Sequence, residues 1–463
     1  MADAPSSLGE SCSRDADDAL SLTELATAAV GVLTLLIAVY WSGRRKRPLI
    51  THAMQRHYSL SSTGFLMAAQ STALPLKFEA WEQLASRLPE LNRAGKLRAA
   101  VDALSTIGVE PGELQDDALR RARVILTCLV HSYVFGHKVP WCDLQQQCPG
   151  GGYKYVSPTE ERAPSAEEPL PALPEQLATP WRLVSSLLGM PLVLTATDAD
   201  LWNSAPYARR DASPADWLPQ YRQLFSMTRT RSERGFHAVP HAVNRALAPV
   251  VPALVLAPAH VKRRDMRALR ELCTQLEAAL SLAKSQLAHI YTEVDPSEFY
   301  DFYRFLLGGW PEGGLSLPAS PAHKLAAGTA EHVGPSAGQT AVIILVDLVL
   351  GIEHGASLRA FQAEMRRYMP AAQTELLNDL DSELSKHGTL RALATAADAP
   401  RALRDAYAAA CAALATMRAY HLGVATHFLR KALKGTGGSD FRALLDEGVV
   451  STRTAVGCAR GGA

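Results

Sequence analysis

The chain has 463 residues, of which 48% are hydrophobic and 20% are charged. That length provides a core large enough to hold a cofactor away from water. The 47 Lys and Arg residues are balanced by 46 Asp and Glu residues, which argues against a nucleic-acid partner, because such a partner normally requires a basic surface. Seven cysteines are scattered without the C-x-x-C spacing of zinc or redox sites, a pattern that indicates free thiols in a reducing compartment.

The N-terminal region, residues 1–50, predicts a membrane anchor. Residues 25–43 carry no charge and are just long enough to cross the roughly 30 Å of hydrocarbon in a bilayer. Acidic residues precede this segment and the basic cluster 44–47 follows it, so the positive-inside rule directs the rest of the chain to the cytosol. The alternatives are a merely buried segment and a cleaved targeting segment, although secretory signals begin with basic residues. We expect a retained transmembrane helix.

Beyond residue 50 the hydrophobic periodicity predicts a mainly α protein. Four segments have the pattern of amphipathic or buried helices: 78–108, 117–133, 262–293 and 341–352. The last of these is too short to span a bilayer and is interpreted as a core helix. A Gly- and Pro-rich stretch between 148 and 174 lacks any period and predicts a surface loop.

A histidine lies within an apolar stripe near the C-terminus. The stripe recurs at alternating steps of four and three and consists of Leu403, Tyr407, Ala410, Leu414, Met417, His421, Val424 and Phe428. His421 falls on the same helical face, which packs inward in a soluble protein. Because an unpaired buried imidazole costs about 1–3 kcal/mol, it needs a hydrogen-bond partner or a metal. The pattern alone leaves open a satisfied core histidine and a metal ligand.

Several short motifs follow one another in a fixed order. They are Phe299-Tyr300 with Arg304 and Gly308-Gly309-Trp310, Ser336-Ala337-Gly338-Gln339, and the segments 347–352, 365–370, 417–422 and 434–440. In this order they resemble the indoleamine 2,3-dioxygenase family, the haem enzymes of tryptophan breakdown, and looser similarity covers 78–446. The resemblance implies an all-helical two-domain fold, with a small domain over 51–220 and a large haem-binding catalytic domain over 221–463.

The resemblance also implies roles for individual residues. His421 would be the proximal ligand of a haem b iron, with Asp347 and Arg418 as a supporting ion pair. The residues expected to bind substrate are Phe236, Phe299, Tyr300, Arg304, Ser336, Ala337 and Thr436. Without the resemblance, an arginine among aromatic residues such as Arg304 is more often structural, and Ser336 is interpreted as a helix cap. The alternative for Asp347 is a cap or a solvent-facing carboxylate. No side chain is expected to act as a catalytic acid or base.

Three positions near the expected pocket depart from the animal members of the family. Pro240 stands where those enzymes have a serine, and Ala196 and Ala199 stand near their pocket-lining Tyr and Cys, which suggests a roomier site. His237 and His241 have a spacing that can chelate a metal on a helix, but no third ligand accompanies them, so a second metal site is not expected.

The function that the resemblance implies is cleavage of the indole ring of L-tryptophan, or of a related indoleamine, by O2 to give N-formylkynurenine. An unidentified electron donor would reduce the iron, and the catalytic domain is expected to be monomeric, anchored to a membrane through residues 25–43 and exposed to the cytosol. Two alternatives stay open at this point: a non-catalytic haem or oxygen-binding protein on the same fold, and a membrane-tethered helical scaffold without haem.

Overall fold

The computed structural model describes residues 57–67 except Ser59 and Ser62, then 73–146, 153–156, 170–205, 213–310, 313–429 and 438–461, with Ala432 and Gly435. The predicted anchor over 25–43, most of the predicted loop over 148–174, and Thr436 lie outside the described residues. Contacts join the chain from Ile50 onward into one unit, and the domain boundary near residue 220 stays a prediction.

The described part of the chain is mainly helical, as the periodicity predicts. The α-helices are Glu79–Ser86, Leu88–Arg93, Leu97–Asp102, Asp116–Phe135, Glu175–Leu188, Trp217–Gln220, Arg231–Leu247, Val251–Arg263, Met266–Leu287, Ile290–Glu293, Pro296–Asp301, Ala341–Leu350, Ala356–Arg366, Ala371–His387, Leu390–Thr395, Arg401–Phe428 and Phe441–Gly461. The 3-10 helices are Leu76–Phe78, Gly136–Lys138, Trp141–Asp143, Pro214–Asp216, Ala248–Val250, Tyr303–Leu307, Pro321–His323 and Ala337–Gln339. A π-helical turn covers Thr197–Trp202.

Strands are short and form two-stranded antiparallel ribbons. The pairs in the described residues are Leu144–Gln146 with Tyr153–Tyr155, Ser204–Ala205 with Arg222–Gln223, and Leu315–Leu317 with Gly328–Ala330. Each ribbon is only two or three residues long, too small to form a core of its own. The core is therefore built by helices.

The helix predicted over 262–293 is shorter than expected and has a sharp start. Arg264 adopts a left-handed backbone conformation with φ of 55°, which a right-handed helix cannot continue. Asp265 then caps the new helix by accepting a hydrogen bond from the Ala268 backbone N–H at 3.0 Å. The helix ends at Leu287, and a separate turn, Ile290–Glu293, follows it.

Three long helices frame the interior. We call Arg231–Leu247 the His237 helix and Arg401–Phe428 the His421 helix. Met266–Leu287 packs against both of them, and Phe441–Gly461 packs along the His421 helix. In the described residues, the combined stretch Arg231–Arg263 is long and apolar enough to cross a bilayer, but 67% of its most apolar window is buried inside the protein. Its apolar side chains thus contribute to the core.

Candidate functional site

A cavity of about 340 Å³ is lined by both the His237 helix and the His421 helix. This volume is in the range of small-molecule sites in proteins. Most of its wall is aliphatic or aromatic. In the part of the lining that the structure describes, the ionisable side chains are those of Asp200, Arg418 and His421. An apolar site with few charges suits a largely hydrophobic ligand.

His421 projects from the apolar stripe into this cavity. The seven other members of the stripe, Leu403 to Phe428, are buried, whereas His421 is partly accessible and lines the cavity. Its ring nitrogens form no hydrogen bond with any described residue. Burial and the nearby Arg418 charge lower the pKa of His421, which favours the neutral imidazole that binds metal ions. A neutral, unpartnered imidazole facing an apolar cavity fits a haem iron.

The predicted contact between Arg418 and Asp347 is present. Arg418 Nη2 donates to the two carboxylate oxygens of Asp347 at 2.7 and 2.6 Å. His354 Nε2 and Gln362 Nε2 also lie 2.9 and 3.0 Å from Asp347 Oδ2. Burial would raise the pKa of Asp347, but the charges and hydrogen bonds of Arg418 and His354 lower it below its ordinary value. The carboxylate is therefore ionised and fully paired, which a buried charge requires.

An aromatic wall connects the two helices. Phe236 stacks on Phe299 with ring centroids 4.7 Å apart and an interplanar angle of 27°. Phe299 meets Phe428 of the His421 helix edge-on, at 6.0 Å and 90°. All three rings line the cavity. The sequence-predicted residues Phe236 and Phe299 are thus brought together as one surface on which a flat ring can stack.

Ser336 and Ala337 also line the cavity. The Ser336 hydroxyl accepts a hydrogen bond from the Gly338 backbone N–H at 3.3 Å, so the cap interpretation of this residue is confirmed. A Cβ at position 338 would lie 2.6 Å from the ring of Phe361. Packing against Phe361 therefore requires glycine here, independently of any ligand.

Two other predicted substrate residues lie outside the described lining of the cavity: Tyr300 and Arg304. Arg304 belongs to the 3-10 turn Tyr303–Leu307, and its guanidinium carbon lies 5.1 Å from the centre of the Tyr300 ring. This arrangement is a cation–π contact. Of the described residues predicted to bind substrate, the structure places four in the cavity wall: Phe236, Phe299, Ser336 and Ala337.

Asp200 is a cavity residue that sequence reasoning missed. It lies in the π-helical turn Thr197–Trp202, a distortion often found at functional sites. His237 Nδ1 lies 3.0 Å from Asp200 Oδ1, and His241 Nδ1 lies 2.9 Å from the Asp200 carbonyl oxygen. His237 Nε2 is also hydrogen-bonded to the Tyr303 hydroxyl. The signal in the sequence was the pair of histidines four residues apart, which needed hydrogen-bond partners.

The binding of Asp200 by both histidines explains their spacing without a second metal. Burial lowers the pKa of His241 to about 4, so its ring is neutral and Nδ1 donates to the Asp200 carbonyl. Among the described residues no group of three His, Cys, Asp or Glu side chains could hold a metal ion. The three positions that differ from the animal enzymes also line the cavity: Ala196, Ala199 and Pro240. They lie near the hydrogen-bond network that Asp200 forms with His237, His241 and Tyr303.

Comparison with known proteins identifies similarity to one family over most of the chain. A family model for indoleamine 2,3-dioxygenase matches residues 54–436. The chain is 26% identical to indoleamine 2,3-dioxygenase 1 of Rattus norvegicus, over 84% of this chain and 91% of the rat protein. It is 29% identical to a 6-hydroxytryptophan 2,3-dioxygenase of Fusarium equiseti, over 89% of this chain and 93% of that protein. It is also 26% identical to a myoglobin of Haliotis diversicolor, over 85% of this chain and 96% of that protein.

Proposed function

The chain belongs to the indoleamine 2,3-dioxygenase family, and from this membership we propose that it cleaves the indole ring of L-tryptophan with O2 to give N-formylkynurenine. Members of this family are haem-dependent dioxygenases. The observation that carries the proposal is the imidazole of His421, which forms no hydrogen bond within the described part of the chain and faces an apolar cavity lined by the stacked rings of Phe236 and Phe299.

The residues of this chain have distinct parts in that reaction. Haem b held by His421 would supply the oxygen chemistry. The ion pair between Arg418 and Asp347 holds the His421 helix against the Ala341–Leu350 helix and so fixes the direction of the imidazole. Apolar lining excludes water from the reacting ring, and the aromatic wall holds the indole by stacking.

The polar end of the substrate is assigned to other residues. We propose that Arg304 binds the carboxylate through its two-pronged guanidinium, beside Tyr300, and that Thr436 contacts the amino group or a haem propionate. Ser336 and Ala337 lie at the cavity edge, where small side chains allow close approach of a flat ligand.

Replacement of His421 tests the proposal. In haem-reconstituted protein, we expect His421→Ala to abolish the haem absorption band and the formation of N-formylkynurenine while far-ultraviolet circular dichroism stays helical. His427→Ala is the matched control, because His427 lies on the same helix, is exposed and does not line the cavity. Retention of haem by His421→Ala, or failure of the wild-type holoenzyme under a reductant to open tryptophan, would refute the proposal.

A second candidate function is non-catalytic haem or oxygen binding. It is supported by the similarity to a Haliotis myoglobin and by Pro240, which offers no hydroxyl at the cavity wall. Both functions predict a haem spectrum. Only the dioxygenase predicts a product, so a stable oxygen complex that does not consume tryptophan would favour the second candidate.

We further propose that residues 25–43 anchor the protein in a membrane with the catalytic domain in the cytosol, and that this domain is monomeric and reduced by a separate electron donor. The charge-free segment and the basic cluster 44–47 support the orientation. Fractionation of cells without detergent should place the full-length chain in membranes and a chain lacking residues 1–50 in the soluble fraction. Recovery of the full-length chain in the soluble fraction would refute the anchor.

A further inference from the structure

The Asp200 network places a carboxylate in the wall of an otherwise apolar cavity. Asp200 is the acidic residue in the part of the lining that the structure describes. Its side chain retains 15% exposure, whereas that of His237 retains 2%. The network therefore has a sealed end, at His237 and Tyr303, and an end at the cavity, at Asp200.

The hydrogen bonds of the network fix which atom of Asp200 is available. A carboxylate oxygen only accepts, so His237 Nδ1 donates to Asp200 Oδ1 in either protonation state of the ring. Burial raises the pKa of Tyr303 well above its ordinary value, so this side chain keeps its hydroxyl proton. Asp200 Oδ2 forms no hydrogen bond with any described residue. It is an unused acceptor on a side chain that lines the cavity.

His237 and His241 hold this acceptor in place. One histidine binds the Asp200 side chain and the other binds its carbonyl oxygen, and both project from the same helix one turn apart. Asp200 is thus fixed at two points, and the acceptor is preorganised. Such an arrangement is costly in an apolar wall unless a ligand or water supplies a donor.

We propose that Asp200 is a specificity-determining residue that accepts a hydrogen bond from a hydroxyl group on the six-membered ring of the substrate, so that the site prefers hydroxylated tryptophans. The inference rests on the proposed function. In that reaction the pyrrole ring must face the haem that His421 would hold. The six-membered ring then points toward the cavity wall at the His237 helix. Asp200 lies in this wall, beside the small side chains of Ala196 and Ala199.

Size-matched ligands can separate hydrogen bonding from shape. The test uses full-length haem-loaded protein with L-tryptophan, its 5- and 6-hydroxy derivatives, and the 5- and 6-methyl derivatives, which have similar bulk but no donor. Binding to the ferric protein is measured by calorimetry, and kcat/KM is measured under a reductant. We expect at least one hydroxy derivative to bind about 10- to 100-fold more tightly than its methyl counterpart, the range expected for a hydrogen bond to a charged group.

Substitution of Asp200 provides the second arm. Asp200→Val should reduce the hydroxy-to-methyl ratio to about one, and Asp200→Asn, whose single oxygen pairs with His237 Nδ1 and whose NH2 replaces the free acceptor, should lower the ratio below that of the wild type. Asp381→Asn is the matched control, because this exposed carboxylate does not line the cavity. If Asp200→Val fails to retain haem, the wild-type ratio and the Asp200→Asn ratio decide the question.

The outcomes distinguish this inference from the function on which it rests. If the wild-type protein opens none of these indoles, the proposed function fails. If it opens them with a hydroxy-to-methyl ratio near one, or with a ratio that Asp200→Val leaves unchanged, the function stands and the role of Asp200 is wrong. 1-Methyl-L-tryptophan tests the other possible donor: a loss of affinity on N-methylation that disappears in Asp200→Val would assign Asp200 to the pyrrole N–H and overturn the ring-hydroxyl assignment.

Discussion

Arg418 and Asp347 join two helices through a single guanidinium nitrogen, Nη2, which lies 2.7 and 2.6 Å from the two carboxylate oxygens. Arg418 lies one turn before His421, and Asp347 lies in the core helix Ala341–Leu350. The second nitrogen, Nη1, donates to Thr452 of the Phe441–Gly461 helix. Rotation of the His421 helix about its axis would break these bonds, so the ion pair sets the direction in which the imidazole points.

Removal of the guanidinium should therefore destabilise the protein. Arg418→Ala leaves Asp347, whose side chain is 4% exposed, without its guanidinium partner, and breaking a buried pair in this way costs about 3–5 kcal/mol. We expect a loss of that size in the free energy of unfolding, measured with urea, and weaker retention of haem. The control is Arg367→Ala, which removes an ion-pair partner that is 73% exposed and should cost less than about 1 kcal/mol. Equal losses in the two variants would contradict the prediction.

Substitution of Arg304 should affect substrate binding more than the rate of reaction. Loss of a charge-assisted contact to the substrate carboxylate is expected to cost about 1.5–3 kcal/mol, which corresponds to an increase of at least tenfold in the KM for tryptophan. Steady-state kinetics of Arg304→Ala, with the 85% exposed Arg267→Ala as control, measures this effect. An unchanged KM and an unchanged rate would show that Arg304 is structural, in keeping with its position outside the described lining of the cavity.

The aromatic wall should contribute through ring stacking. Phe236→Leu keeps most of the apolar volume but removes the stacked ring, which is worth about 0.5–1.5 kcal/mol. We expect the affinity for tryptophan to fall by roughly two- to tenfold, measured by titration of the ferric protein. Phe305→Leu, at a ring that is 40% exposed and outside the described lining, should leave the affinity unchanged. A similar loss in both variants would point to a general effect on folding.

Features that depend on one helix or one motif could be predicted from the sequence. The stripe that includes His421 follows from spacing alone, because a regular helix fixes which side chains share a face. The resemblance supplied the pair of Arg418 and Asp347. It did not supply His354, which binds the same carboxylate from beyond the turn at Gly351, a residue with φ of 66°. Turn geometry decides that contact, and hydrophobic periodicity carries no information about it.

Contacts between distant segments could not be predicted from the sequence. Asp200 and His237 are 37 residues apart, and Tyr303 is a further 66 residues along the chain. Each is unremarkable in its own segment. The three meet only because the π-helical turn and the 3-10 turn Tyr303–Leu307 both contact the His237 helix. By itself, the spacing of His237 and His241 suggests a metal as their shared partner. The partner that the fold provides is Asp200, whose carboxylate binds His237 and whose backbone carbonyl oxygen binds His241.

Stability at mildly acidic pH should depend on His131, which is buried far from solvent. Its Nε2 accepts a hydrogen bond from the Leu194 backbone N–H at 2.8 Å, and Nδ1 donates to the Leu306 carbonyl oxygen at 3.1 Å, so the ring must be neutral. Burial, together with the Arg123 charge and against the effect of the Leu306 carbonyl, lowers the pKa of His131 from 6.5 to about 3. The unfolded chain therefore binds this proton more readily than the folded protein does.

This difference gives the sign of the pH effect. The contribution of His131 to stability is complete above pH 6.5 and decreases as the pH falls toward 3, with a slope of up to about 1.4 kcal/mol per pH unit. His131→Gln should be less stable at pH 7.5, because it loses the paired ring, but its free energy of unfolding should fall less steeply between pH 7 and pH 5. Urea unfolding at several pH values measures both slopes, and the exposed His427→Gln should keep the wild-type slope. Parallel pH profiles for His131→Gln and the wild type would mean that another group takes up the proton on unfolding.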